Sequence, residues 1–141
     1  MPLTLSLVTP EKTLLTAAAD GVRLPLFDGM AGILPGRAPM VARLGNGVMS
    51  VKGLRGADAG SASYFVAGGF VQVSPSRPGD PADGGTVAVL TNRAVKPSEI
   101  DAAAARAELE EVTARVPATP EAREQRTRDR DRLRAMIASA A

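Results

Sequence analysis

Cysteine, histidine and tryptophan are all absent from this chain of 141 residues. Without Cys the chain has neither a disulfide framework nor a thiolate for catalysis or metal binding. Without His it also lacks the commonest general base and metal ligand, so Ser or Cys nucleophiles that rely on imidazole are excluded. We therefore predict that the chain is not an enzyme, holds no metal and needs no cofactor.

Aromatic residues and unbalanced charge are scarce as well. Only 3% of the residues are aromatic against 45% hydrophobic, so the core must consist of Leu, Val, Ile, Met and Ala. A net charge of +2, from 17 basic and 15 acidic residues, gives no strong field to attract nucleic acid or an anionic membrane. No apolar run reaches the roughly 18 residues of a membrane span, and the N-terminus has no signal-peptide pattern, so we expect a soluble or peripheral protein.

The first two thirds of the chain predict short β-strands. Leu3, Leu5 and Leu7 occupy every second position of the first one, as in a half-buried strand. Further strands are predicted over residues 22–27, 41–44, 48–51, 64–73 and 86–91, with turns at residues 45–47 and 68–69. This spacing predicts an all-β sandwich or flattened barrel over residues 1–94, with Gly- and Pro-rich loops over residues 53–63 and 74–85.

A helical hairpin is predicted over residues 98–141. The Ser98 hydroxyl, with Asp101 three residues later, is typical of an N-cap, and Pro117 should end that helix near Val116. Thr119 and the Pro after it predict the start of a second helix.

The predicted apolar faces of both helices are weak. The first helix offers a stripe of mostly small side chains, namely Ile100, Ala103, Ala104, Ala107, Val112 and Val116. The second is rich in Arg, has almost no apolar face before Leu133, Met136 and Ile137, and should depend on ion pairs such as Glu124 with Arg128. We therefore expect a mobile tail.

The most unusual segment is residues 29–40, where Gly and Pro alternate with apolar residues. It could be a glycine-rich connection between strands. It is not a phosphate-binding loop, because it lacks the Lys-Ser/Thr ending and the following helix.

This segment closely resembles the signature of the epsilon subunit of bacterial F-type ATP synthases. Residues 7–11, 65–73 and 87–94 resemble that family's first strand and turn, its double-glycine strand and its last strand, in the same order. The tail from Ile100 onward occupies the place of the two C-terminal helices. The resemblance thus covers nearly the whole chain.

The resemblance implies a head of two packed antiparallel sheets that grips the gamma subunit and rests on the c-ring, coupling proton transport to ATP synthesis without doing chemistry itself. The chain would be peripheral on the cytoplasmic side of the bacterial inner membrane, touching the membrane only through the complex. The matching partner-binding residues are Gly29, Met30, Gly32, Ile33, Leu34, Pro35, Gly36, Arg37, Ala38 and Pro39, with Ile33 and Leu34 presented to the partner. The family often has an acid at the position of Met30 and a His at that of Arg37, which puts a charged c-ring contact at Met30 in question.

The resemblance further implies that the tail can lie against the head or extend toward the alpha and beta subunits, where it restrains ATP hydrolysis. Contacts to acidic partner surfaces would then come from Arg123, Arg126, Arg128, Arg130, Arg132 and Arg134. An alternative for these arginines is a solvated helix face with interleaved acids. Some family members bind ATP through an Asp-x-x-Arg pattern; here Asp101 and Arg106 are five residues apart, about 140° around a helix, so we predict no tight ATP binding.

A different class of function remains open, namely a nucleic-acid-binding or protein-binding β-module with an Arg-rich tail. Acidic residues in the tail offset much of its positive charge, and the tail has no aromatic side chain for base stacking. The prediction is a non-catalytic docking subunit of a larger assembly that binds no nucleic acid.

Overall fold

The computed structural model describes residues 2–55, 60–76 and 83–140. The described chain forms strands, then a 3₁₀ turn at Pro97–Glu99 and two helices, α1 (Ala102–Ala114) and α2 (Pro120–Ser139). Its strands are β1 (Leu3–Val8), β2 (Thr13–Ala19), β3 (Gly21–Leu26), β4 (Gly29–Ile33), β5 (Met40–Arg43), β6 (Asn46–Leu54), β7 (Gly60–Ala67), β8 (Phe70–Ser74), β9 (Thr86–Leu90) and β10 (Ala94–Val95). The predicted β head with a C-terminal helical hairpin is confirmed.

The head consists of two five-stranded sheets. The first has the order β2-β1-β9-β8-β5, and the second has the order β10-β7-β6-β3-β4. Among the described strands, all pairings are antiparallel except that of β1 with β9, which brings the first and last long strands of the head side by side. The end of the head is therefore tied to its beginning, and the tail leaves from the short strand β10 at the edge of the second sheet.

The core lies between the two sheets and is aliphatic. Leu3, Leu5 and Leu7 are at most 1% exposed, because alternate side chains of a strand point to the same face and here that face is inward. They pack in one cluster with Val87 and Val89 of β9, and with inward residues of the second sheet such as Met49 and Val51 of β6. The composition had predicted such a core.

The turn at Gly45 does not connect paired strands. β5 belongs to the first sheet and β6 to the second, so the chain changes sheets at this point. The Gly45 N–H donates to the Pro25 carbonyl at 3.0 Å, and a Cβ on Gly45 would lie 2.8 Å from the Leu26 carbonyl oxygen. Glycine is needed here because two backbone segments approach closely.

The predicted loop over residues 53–63 is wrong at both of its ends, and its residues 56–59 lie outside the described residues. β6 continues to Leu54 and β7 begins at Gly60, with Leu54 and Gly60 paired across the two strands. Gly53 has a φ of +66° at a bulge in this ladder, so a residue that suggested a loop serves a strand irregularity. The other predicted loop begins after Ser74, the last residue of β8, and ends before β9; its residues 77–82 lie outside the described residues.

The first helix begins later and ends earlier than predicted. Ser98 lies in the 3₁₀ turn, and Ile100 has extended dihedrals (φ −75°, ψ 122°), so no helix can run through residue 100. Asp101 is the actual N-cap of α1, because its carboxylate accepts a hydrogen bond from the Ala104 N–H at 3.0 Å. The helix stops at Ala114, ahead of Pro117.

The second helix begins as predicted. The Thr119 hydroxyl oxygen accepts a hydrogen bond from the Ala122 N–H at 3.1 Å, and Pro120 is the first helical residue.

The two helices pack through a small apolar cluster of their own. Its fully buried members are Ala105, Val112 and Leu133, with Leu109, Met136 and Ile137 partly buried around them. The prediction for the second helix is confirmed. The predicted stripe on the first helix is wrong except for Val112. The residues that face the second helix are Ala105, Leu109 and Val112, which are four and then three positions apart and so share one face. The predicted members Ala103, Ala104, Ala107 and Val116 are exposed.

Polar contacts between the helices supplement this cluster. Arg132 Nη2 lies 3.5 Å from Glu108 Oε1, and Arg115 Nη1 lies 3.6 Å from Asp129 Oδ2. The predicted pair of Glu124 and Arg128 is replaced by a hydrogen bond from Arg128 to Gln125 Oε1 at 3.0 Å. Such exposed pairs contribute only about 0–1 kcal/mol each.

The tail is docked on the outer face of the second sheet. Helix α2 contacts β6 and β7, and the 3₁₀ turn also contacts β7. On β7, Tyr64 and Val66 belong to the core between the sheets, so Phe65 points to the opposite face, yet it is fully buried. We infer that Phe65 is covered by the tail. Neither helix of the described chain has a stretch long and apolar enough to cross a membrane.

The Gly68–Gly69 turn between β7 and β8 allows a test of how closely the backbone segments approach each other at this end of the sandwich. Gly69 has a φ of +111°, and a Cβ there would lie 2.0 Å from the Leu90 carbonyl oxygen; Gly68 has a φ of +68° but open space around it. We expect Gly69→Ala to lower the free energy of unfolding by at least about 3 kcal/mol and Gly68→Ala by about 1–2 kcal/mol. Urea denaturation of both variants measures the difference. Equal losses would contradict the close approach at Gly69.

The tail cluster provides a second test. Leu133→Ala should remove about 2–4 kcal/mol from the packing of α1 on α2. Because the cluster is so small, the two helices should not remain packed after this loss. Hydrogen exchange should then show fast exchange in both helices and unchanged protection in the strands of the head. Val116→Ala is the control, because Val116 is 91% exposed and should change neither.

Candidate partner-binding surface

Residues 29–39 run along one open side of the sandwich. Residues 29–33 form β4, the edge strand of the second sheet, and the following residues lead to β5, the edge strand of the first sheet. The segment therefore joins two free sheet edges. Part of it is a regular strand rather than a loop.

The side chains of this segment divide between the core and solvent. Ile33 pairs with Val22 in the β3–β4 ladder, faces the core with it and is 1% exposed, so the expectation that Ile33 is presented to a partner is wrong. Met30 is 49% and Leu34 67% exposed. The large apolar side chains that this segment exposes are therefore Met30 and Leu34.

The loop after β4 is held in a defined shape by residues distant in sequence. Gly36 has a φ of +80°, and its N–H donates to the Gly84 carbonyl at 2.9 Å. The Gly84 N–H donates to the Pro2 carbonyl at 2.8 Å, and a Cβ on Gly84 would lie 2.7 Å from Pro35 Cβ. The part played by Gly84 was missed from the sequence, where nothing links residue 84 to residue 36.

Arg37 covers part of the free edge of β4. Its Nη1 donates a hydrogen bond to the Gly32 carbonyl at 2.7 Å. An uncovered edge strand invites another strand to pair with it, and a positively charged side chain on the edge opposes that pairing. The remaining residues of the segment, Ala38 and Pro39, are exposed and lead into β5.

A second apolar surface lies on the outer face of the first sheet and was missed by sequence reasoning. The ladders place Arg43, Phe70 and Leu90 in one row across β5, β8 and β9. Phe70 is 53% and Leu90 47% exposed, and nearby Val41 on β5 is 71% exposed. The Arg43 guanidinium also lies 6.0 Å from the ring centre of Phe27. The sequence could have indicated this surface, because apolar and polar residues largely alternate along β8 and β9, and Phe70 and Leu90 are apolar residues at outward positions.

The six arginines proposed for the tail do not form one surface. Arg126 donates to the Arg115 carbonyl at 3.0 Å and Arg132 pairs with Glu108, so these two stabilise the hairpin itself. Arg128 lines a cleft of about 510 Å³ between α2 and the head, beside Phe70 and Leu90. Of the other three, Arg130 is half-buried, and Arg123 and Arg134 are exposed.

Asp101 and Arg106 are not arranged as a nucleotide site. The Asp101 carboxylate caps the N-terminus of α1, whereas Arg106 lies exposed within that helix. Across residues 2–55, 60–76 and 83–140, no three Asp, Glu, His or Cys side chains come together as a metal site would require.

The model of the ATP synthase delta/epsilon chain β-sandwich domain matches residues 2–97. This chain is 41% identical to the ATP synthase epsilon chain of Rhodopirellula baltica over 114 residues, which is 81% of this chain and 79% of that one. It is 36% identical to the epsilon chain of a Synechococcus strain over 142 aligned positions, 99% of this chain and 94% of the relative.

The fold is also similar to solved structures. A chain of the Tetrahymena thermophila mitochondrial ATP synthase, from a structure of its central stalk and c-ring, superposes with a TM-score of 0.73 and 16% identity over 100% of this chain and 98% of that chain. A chain of the Euglena gracilis mitochondrial ATP synthase gives a TM-score of 0.76 and 23% identity over 98% and 81%, respectively. Together with the sequence matches, these findings show that the chain belongs to the family of ATP synthase epsilon chains, which are non-catalytic subunits.

Proposed function

We propose that this chain couples rotation in the central stalk of a proton-translocating ATP synthase, with its head bound to the gamma subunit and resting on the c-ring. The observation that carries the proposal is an exposed apolar pair, Met30 and Leu34, on a segment whose shape is fixed by hydrogen bonds from both ends of the head. Exposed apolar side chains on a rigid scaffold are typical of protein–protein contact sites.

Rigidity is the property that such a subunit requires. A part that transmits torque must not deform when its partners pull on it, and a densely packed interior resists deformation. The loop at Gly36 is joined to Gly84, and Gly84 to Pro2, so a force on the loop passes directly into the paired strands β1 and β9.

Two exposed apolar surfaces support contact with two neighbouring subunits. Met30 and Leu34 lie at the β4 side, whereas Val41, Phe70 and Leu90 lie on the outer face of the first sheet. We assign the β4 side, including Gly29–Ile33 and the loop to Pro39, to the c-ring with gamma, and the sheet face to gamma. The complex would hold the chain peripherally on the cytoplasmic side of the bacterial inner membrane.

We further propose that the tail leaves the head to restrain ATP hydrolysis by the alpha and beta subunits. Only a small apolar cluster and exposed ion pairs hold the hairpin together. In addition, the Nε atoms of Arg126 and Arg130 are buried without a hydrogen-bond acceptor among the described residues, which is unfavourable for the docked tail. These features favour a docked tail that detaches at low cost.

Met30 and Leu34 together form the apolar edge of the head, and a charge placed at either residue tests the head contact. Leu34→Glu and Met30→Lys should each reduce the amount of the chain that co-purifies with the gamma and c subunits at least tenfold, because the charged group would have to be desolvated in the contact. The measurement is quantitative mass spectrometry of the purified complex. Val116→Glu is the matched control, since Val116 is more exposed but lies in the tail. Full occupancy by both edge variants would refute the proposed contact.

Removal of the residues after Pro97 tests the tail. We expect the assembled complex to retain the head, because the core between the sheets contains no residue of the tail. ATP hydrolysis by the complex should increase severalfold, while ATP synthesis driven by a proton gradient should continue. Unchanged hydrolysis would rule out an inhibitory tail and leave the coupling role of the head intact.

A further inference from the structure

A basic trough lies on the outer face of the second sheet, next to the apolar edge. The ladders place Gly32, Arg23, Ser50 and Ser63 in one row across β4, β3, β6 and β7. Lys52 lies beside this row, paired with Gly21. These residues line a hollow of about 550 Å³ with Leu34 at its rim.

The hollow exists because the outward positions of this part of the sheet carry small residues. Gly21 and Gly32 have no side chain, and Ser50 and Ser63 have short ones, so the long side chains of Arg23 and Lys52 stand around a low floor. A Cβ on Gly32 would meet nothing within 4 Å. The other end of the same face, at Phe65, is filled and buried, so the trough is the part of this face that the tail leaves uncovered.

The charge of the trough is not neutralised within the described chain. No carboxylate of the described residues lies within 4.0 Å of Arg23, Lys52 or the neighbouring Arg37. By contrast, the nearby Arg55 is paired with Asp20 at 2.8 Å. Uncompensated cations around a concave surface attract a partner of opposite charge, and this complementarity favours the correct partner over others.

We propose that the trough binds an acidic polypeptide segment of a neighbouring subunit. This inference rests on the proposed function, which supplies the neighbour, and adds the chemistry of its contact. The carboxylates of that segment pair with Arg23 and Lys52, and its backbone receives hydrogen bonds from the hydroxyls of Ser50 and Ser63.

A polypeptide fits this surface better than a membrane. The exposed hydroxyls of Ser50 and Ser63 lie side by side in one row with Arg23, and an extended chain laid along that row offers them backbone carbonyls as hydrogen-bond acceptors. The volume is within the range of ligand pockets, and the exposed Leu34 at the rim offers an apolar contact that a side chain of the same segment can cover.

Crosslinking in the assembled complex tests the occupant directly. The photoreactive residue p-benzoylphenylalanine replaces Leu34 at the rim, where it leaves the trough open, in the full chain. The purified complex is irradiated, and the crosslinked peptide is sequenced by mass spectrometry. We expect a crosslink to a segment of a neighbouring subunit that contains Asp or Glu. A crosslink to lipid, or to a segment without acidic residues, overturns the proposal. Failure of the unsubstituted chain to co-purify with the complex would instead count against the proposed function.

Binding of a model peptide to the isolated full chain tests the charge and the shape separately. The probe is a twelve-residue polyglutamate peptide, with affinity measured by fluorescence anisotropy. The double variant Arg23→Ser with Lys52→Ser should weaken binding at least fivefold, and Gly32→Leu, which fills the trough without altering charge, should do the same.

The matched control removes the same two charges elsewhere on the head. Lys12 and Arg93 are exposed and lie by a separate hollow that also contains Glu11, so Lys12→Ser with Arg93→Ser should weaken binding less than twofold. Equal losses for both double variants would mean that the peptide senses only net charge. Binding to phosphatidylserine vesicles that depends on Arg23 and Lys52, without peptide binding, would assign the trough to membrane. Either outcome overturns the proposal.

Discussion

The burial of aliphatic side chains between the two sheets is the interaction on which the rest of the structure depends. Once Leu3, Leu5 and Leu7 and their partners occupy the inward positions, every second residue of each strand must point outward. Those outward positions contribute little to the core and are free to meet other molecules. The apolar edge, the apolar row at Phe70 and the basic trough are all made of outward or connecting residues, which is how so small a head can carry several distinct surfaces.

The tail depends on the head without sharing its core. Its own cluster has three fully buried residues, one of them an alanine, so it supplies little of the free energy needed to order two helices. Contact with β6 and β7 over Phe65 must supply part of the rest. A tail that is held mainly by surface contacts can exchange them for contacts with another subunit more easily than a tail that shares the core of the head. This is the physical basis for a regulatory tail.

Charge distinguishes the surfaces from one another. The net charge of the chain is only +2. Yet no carboxylate of the described residues lies within 4.0 Å of Arg23, Lys52 or Arg37, whereas the arginines of α2 are interleaved with Asp and Glu and partly used within the hairpin. Local arrangement therefore matters more than the total. Of the two basic regions, the Arg-rich helix α2 is the better neutralised. The other, the trough at Arg23 and Lys52, is less neutralised, and the composition of the chain does not indicate it.

The sequence by itself determined the fold class, the strand periodicity, the break at Gly68 and Gly69 and the N-cap of α2, because alternation, turn chemistry and capping act over a few residues. It also indicated the family, through motifs that resemble those of the epsilon subunits. Only the tertiary structure decided that Ile33 is buried, that the turn at Gly45 changes sheets, that helix α1 uses the face of Ala105 and Leu109, and that Arg23, Ser50 and Lys52 share one trough. Each of these depends on which strand or helix lies alongside, and pairing between segments that are distant in sequence leaves no mark in the local pattern of residues.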